Sequence, residues 1–271
     1  MPRRVNPPRG DEMEDITKLM IGVGGAALLV GGGMALGMAL RESSPQRRLP
    51  RGPALPMNPS SALQQPRSRL LVLAPPYGRI TTTESSGVVS LLDRLQPGPL
   101  GIAIHALGGY STAVDHIARA LKAYPHKITA FVPYRAMSGG TLVALAADEI
   151  VMNRNAVLGP VDPQLAGYPA HSIATLLETK PIERLNEEWF VLGLESKKAL
   201  AETNRLVKEL VTSPAAVTRL TSGKTTHGLA IPMQEAMELG LPIREGVPQD
   251  VTAAIDQAIA FSRSQELPFP Y

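Results

Sequence analysis

Ala136-Met137-Ser138-Gly139-Gly140-Thr141 sets one serine among small residues. An apolar run, Ile128–Val132, stands before it, and an apolar segment, 142–147, stands after it. That layout mounts a hydroxyl where a strand meets a buried helix. Small neighbours let a substrate backbone approach, and the helix N-terminus beyond them favours negative charge. A serine nucleophile needs such a place, because acyl transfer builds an oxyanion beside it. The plainer account of the same six residues is an N-cap serine followed by turn glycines.

His105-Ala106-Leu107-Gly108-Gly109-Tyr110 closes another apolar run, 101–104, and Val114, Ile117, Ala118 and Leu121 then fall on one helical face. Adjacent glycines after a strand allow positive φ and leave bare amides. The amides of Gly109 and Gly139 are therefore the two candidate halves of an oxyanion hole. Gly109 precedes Ser138 by 29 residues, room for one helix and one return strand of a right-handed βαβ unit. Both corners then lie at the carboxyl ends of neighbouring parallel strands, where open α/β sheets place their sites.

On these residues the chain resembles the serine dehydrogenase proteinase family, membrane-anchored relatives of signal peptide peptidase A with a Clp-protease/crotonase fold. The run from Ala136 to Met152 carries the likeness, with Leu158-Gly159-Pro160-Val161-Asp162-Pro163-Gln164-Leu165 after it. It extends over residues 70–250. One segment departs: the family sets an aromatic and an acidic residue around a Thr-His pair, and this chain has Thr225-Thr226-His227-Gly228-Leu229. The resemblance implies an α/β domain with a mainly parallel sheet and surrounding helices. It also implies a serine-type endopeptidase acting on a protein or peptide substrate, and a homo-oligomer.

A serine hydroxyl needs a neighbour to take its proton. Clp proteases place a histidine on the turn after the nucleophile helix. The matching turn here, 159–163, holds Asp162 and no histidine. Signal peptide peptidase A enzymes use a lysine, several tens of residues after the serine and ahead of an acidic helix start. Lys180 lies 42 residues after Ser138, and Glu183, Glu187 and Glu188 follow it. Pro181 biases Lys180 toward a turn. Lys198 is the alternative, because Phe190, Leu194, Lys198 and Ala201 recur at helical spacing and would place it on a buried face. Asp162 and His227 are candidates for orienting the base; the plainer role for Asp162 is capping the turn before Pro163.

Strands are expected at 70–74, 101–104, Ile128–Val132 and Glu149–Met152, with helices between and after them. Residues 142–147 are apolar on every side and predict a central buried helix. The longest helical pattern is 187–211. Pro232 before 233–239, and Pro248 before a stripe of Val251, Ile255 and Ile259, open two more. Strands alternating with helices indicate a mainly parallel sheet.

Residues 19–40 carry no charge and are closed by Lys18 and Arg41. Twenty-two residues at about 1.5 Å each reach roughly 33 Å, the thickness of a bilayer core. Seven glycines in this run suit lipid better than a soluble core. The expectation is one transmembrane helix at 19–40 after a polar tail at 1–18. A linker with six prolines at 41–69 and a peptidase domain at 70–265 follow. Arginines flank both ends of the apolar run, so the side of the membrane facing the domain is open.

The net charge of +3 misleads. Residues 41–80 hold seven arginines and one glutamate, the first 40 residues balance, and the remainder carries −3. The basic stretch fits anionic lipid headgroups. No basic run interleaved with aromatics suggests nucleic acid. The chain has no cysteine, and neither a metal-ligand cluster nor a phosphate loop is apparent, so no metal and no cofactor is expected. The expected function is a single-pass membrane serine peptidase with Ser138 as nucleophile. Two alternatives stay open: an inactive membrane scaffold of the same fold, and a crotonase-like acyl-CoA enzyme, which also uses paired backbone amides.

Overall fold

The structure is a computed structural model that describes residues 18–23, 26–31 and 69–265. In chain order the first elements are strands β1 (Lys18–Val23), β2 (Ala26–Gly31), β3 (Arg69–Ala74) and β4 (Arg79–Ile80), then helix α1 (Thr82–Leu92). Next come β5 (Leu100–Ile104), β6 (Gly108–Gly109), α2 (Ser111–Ala123), β7 (Ile128–Val132), β8 (Arg135–Ala136) and α3 (Gly139–Leu145). Strands β9 (Glu149–Met152), β10 (Val157–Leu158), β11 (Gln164–Leu165) and β12 (Tyr168–Pro169) lead to α4 (Ala170–Thr179), α5 (Glu187–Leu210) and α6 (Pro214–Thr221). The chain closes with β13 (Ile231–Pro232), α7 (Met233–Glu238), β14 (Ile243–Glu245) and α8 (Gln249–Gln265).

The main sheet runs β1-β2-β3-β5-β7-β9-β14. Its last five members are parallel. All are short, and apart from the edge strand β14 they are mainly apolar, as a doubly covered parallel sheet requires. One face packs against α2, α3, α5, α6 and α7 through Ile102, Ile104, Val114, Ile117, Val143, Val207 and Leu220. The other face is smaller: Val72, Ala74 and Ala103 meet Val251, Ile255 and Ala258 of α8. All four strands expected from sequence are present within one residue, and every residue of α3 is buried. Pro232 differs slightly from expectation: it is the N-cap of α7 and ends β13.

The expected transmembrane helix meets a different structure. Its described part lies in β1 and β2, an antiparallel hairpin that joins the edge of β3. The sequence between the two strands is Gly24-Gly25, a dipeptide that short hairpins favour. Glycine also weakens a helix by about 1 kcal/mol per residue in water, and β3 without a partner would present an open edge. Among the described residues no helix is long and apolar enough to cross a membrane. Residues 32–40, the polar tail at 1–17 and the linker at 41–68 lie outside the described residues.

Thr141 ties the site-bearing turns together. Its fully buried hydroxyl donates to the Ala136 carbonyl at 2.7 Å and accepts from the Gly159 amide at 3.0 Å. Thr141→Val keeps the shape but strands both backbone groups, at about 1–3 kcal/mol for unmet buried partners. Denaturant titration should show that loss for Thr141→Val and a smaller one for Thr141→Ser, which keeps the hydroxyl. Equal loss in both would assign the effect to packing alone.

Candidate active site

Ser138 is the N-cap of α3, at φ 50° and ψ −114°. A serine rarely adopts such a backbone, which costs on the order of 1–3 kcal/mol and persists only where the surroundings enforce it. The hydroxyl makes no capping bond to the helix, so the N-cap account does not explain it. The turn lifts a half-buried side chain above the end of β7. Gly139 begins α3, so its N–H has no acceptor within the helix.

The glycine corner abuts this turn. A Cβ built on Gly108 would lie 3.3 Å from Ser138 Cβ and 3.5 Å from Ser138 Oγ. One built on Gly139 would lie 3.3 Å from the Gly109 nitrogen and 2.6 Å from Val114 Cγ2. A Cβ on Gly109 would strike the Ile80 carbonyl oxygen at 2.3 Å. All three glycines are therefore fixed by close approach, and Gly108 also by its φ of 149°. The two corners converge as their spacing implied, with the Gly109 amide beside Gly139. Leu107 and Tyr110, both about half exposed, and Tyr77 rim the corner with apolar surface.

The segment after β10 closes the other side. Gly159 packs on Met137, where a Cβ would lie 3.2 Å from the Met137 Cα. Three residues on, Asp162 is buried and its Oδ1 lies 3.1 Å from Nδ1 of His171, in the first turn of α4. Gly223, at φ 63°, presses on the His171 ring; a Cβ there would lie 2.1 Å from its Cγ. His227 Nδ1 lies 3.3 Å from Gln164 Nε2. Asp162, a candidate for orienting the base or for capping the turn before Pro163, is thus buried against His171. His171 was missed as its partner, because nine residues and a β-turn separate the two.

Lys180 is exposed at the C-cap of α4, the far end from His171. Lys198 is exposed and bonded to Glu195 at 2.6 Å. The expectation that Lys198 shares a buried face is corrected: the buried residues of α5 are Gly193, Ser196, Leu206 and Val207, and Leu194 is exposed. Among the described residues no side chain hydrogen-bonds the Ser138 hydroxyl, and no cluster of His, Asp and Glu could hold a metal.

His105 follows the last residue of β5. Its ring meets Tyr134 edge-on at 5.9 Å. Burial first, then Arg135 and Arg263, lower its pKa from 6.5 to about 4, with Asp256 opposing. The folded protein thus keeps His105 neutral where the unfolded chain would protonate it. Stability should fall as pH drops from 6.5 toward 4. His105→Phe should show a smaller drop in denaturation midpoint between pH 7 and pH 5 than the wild type. Equal drops would show that His105 is not the group responsible.

A family profile described as ClpP-like SDH-type serine proteinase matches residues 66–265. Two uncharacterized proteins of Methanocaldococcus jannaschii are 40% and 39% identical, over 186 and 191 residues. The matches cover 65% and 67% of this chain and 65% of each relative's length. Among solved structures, a ClpP1 mutant from Listeria monocytogenes is similar at TM-score 0.49 and 17% identity, covering 67% of this chain and 93% of that one. A mutant of the 1510-N membrane-bound stomatin-specific protease is similar at TM-score 0.46 and 15% identity, covering 69% and 81%.

Proposed function

Because the chain belongs to the ClpP-like SDH-type serine proteinases, we propose that it is a membrane-anchored serine peptidase with Ser138 as nucleophile. The observation that carries this is the strained Ser138 backbone facing the Gly108–Gly109 corner, with its hydroxyl left out of helix capping. Ser138 Oγ attacks the carbonyl carbon of the scissile peptide and gives up its proton to a base. The Gly109 and Gly139 amides hold the oxyanion. The base returns the proton to the leaving amine, and water then cleaves the acyl-serine ester. Losing one oxyanion donor costs about 100- to 1000-fold in turnover.

Lys180 is the base that the family resemblance supplies. It is exposed at the C-cap of α4, so in a homo-oligomer it is open to Ser138 of a neighbouring copy. A second account is favoured by one contact. Asp162 on Nδ1 of His171 leaves Nε2 free as a proton acceptor, the logic of an oriented histidine base. Lys180→Ala and His171→Asn separate them: the variant that loses turnover, with the fold intact, names the base.

The anchor rests on the uncharged run at 19–40 and the arginines after it. In the structure its described part completes the edge of β3. In a bilayer each backbone group must be bonded within its own segment, which a helix achieves and a sheet edge does not. The full chain should stay with membranes through alkaline carbonate extraction, and a variant lacking residues 1–40 should be released.

A fluorophosphonate should label the wild type at Ser138, and Ser138→Ala should lose both labelling and peptide hydrolysis. An unlabelled wild type would favour the inactive scaffold. Acyl-CoA turnover that survives Ser138→Ala would favour the crotonase-type alternative.

A further inference from the structure

Three strand ends lead into the corners of the site, and α8 touches all of them from beneath. Ser262 of α8 donates to the carbonyl of Ala74, the last residue of β3, at 3.2 Å. Arg263 and Asp256 of α8 both act on the charge state of His105, next after β5. Tyr134, two residues past β7, donates its hydroxyl to Asp256 Oδ1 at 2.6 Å. His105 and Tyr134 also meet each other at 82° between ring planes. Each contact stands just upstream of a site residue: Gly78 follows Ala74, Gly109 follows His105 and Ser138 follows Tyr134, each by four positions. Gly78 belongs to the same corner, since its carbonyl accepts from the Leu107 amide at 2.7 Å.

We propose that α8 is a positioning element, and that the Tyr134–Asp256 bond with the His105–Tyr134 ring contact sets the height of Ser138 against the Gly109 amide. Tyr134 and Asp256 act through the backbone and touch no substrate. A bond at Tyr134 fixes where the chain enters the Ala106–Ala136 bridge, two residues before the nucleophile. A displacement of about 1 Å costs up to roughly 100-fold in rate. The apolar contacts of α8 with the sheet run through Val251, Ile255 and Ala258, which these changes leave in place. The inference uses the peptidase reading only for what the positioning serves.

The experiment compares Tyr134→Phe, Asp256→Ala and Asp256→Asn in the full-length protein. Tyr134→Phe keeps the ring on His105 and loses the bond. Asp256→Asn keeps an acceptor oxygen. Hydrogen exchange over 105–110 and 135–140 reports the corners directly, and the rate of fluorophosphonate labelling with kcat and KM for a peptide reports their use. Tyr134→Phe and Asp256→Ala should raise exchange in both segments, slow labelling and lower kcat with KM nearly unchanged. Asp256→Asn should restore wild-type behaviour in large part. Unchanged exchange in the first two variants would overturn the proposal. So would an Asp256→Asn variant that behaves like Asp256→Ala, since the bond would then not be the cause. Raised exchange in Tyr134→Phe and Asp256→Ala, together with a wild type that no fluorophosphonate labels, would uphold the positioning and remove the peptidase reading.

Discussion

The site depends on one short parallel bridge, Ala106 against Ala136. The Met137 amide donates to the Ala106 carbonyl at 2.9 Å, and the Ala106 amide to the Arg135 carbonyl at 3.3 Å. These bonds hold the chain leaving β5 beside the chain leaving β7 beyond the regular sheet, with the pairing moved on by two residues on the β7 side. Gly108 and Ser138 follow at once, and are delivered face to face. Side-chain size enforces the approach. Ala106 and Ala136 are fully buried, and a Cβ on Gly140 would come within 3.1 Å of the Ala106 Cβ. A larger residue at any of the three would push the corners apart.

That closeness makes the strained serine tolerable. The Ser138 backbone is held by bonds on both sides, from Met137 to Ala106 and from Leu142 back to the Ser138 carbonyl. Helix α3 is buried throughout and cannot shift to relax the turn. Thr141 fastens it to Gly159, which brings the Asp162–His171 pair along. Strain stored in this way costs stability and persists because the surrounding structure enforces it. The family to which the chain belongs uses a serine.

Much of this was legible in the sequence, for specific reasons. The parallel strands are short apolar runs ending at Gly or Ser turns, and both faces of the sheet are covered, so period and punctuation agreed. The two corners could be read because small residues cluster only where backbones must nearly touch. Residues 19–40 were harder. An apolar, glycine-rich run satisfies a helix in lipid and a hairpin on a sheet edge equally well, and nothing local distinguishes them. Lys198 misled because one stripe of α5 is apolar yet exposed; Val191 and Leu194 lie at the surface while the small Gly193 and Ser196 face inward. His171 escaped because its meaning lies in a contact with Asp162 that only the folded turn creates.

The most direct measurement is a crystal structure of the protein with a peptide boronate, whose adduct mimics the tetrahedral intermediate. The account predicts a covalent bond from Ser138 Oγ to boron, with one boronate oxygen about 2.7–3.1 Å from both the Gly109 and Gly139 nitrogens. An adduct whose oxygens avoid both amides, or a boronate bound without a bond to Ser138, would contradict it.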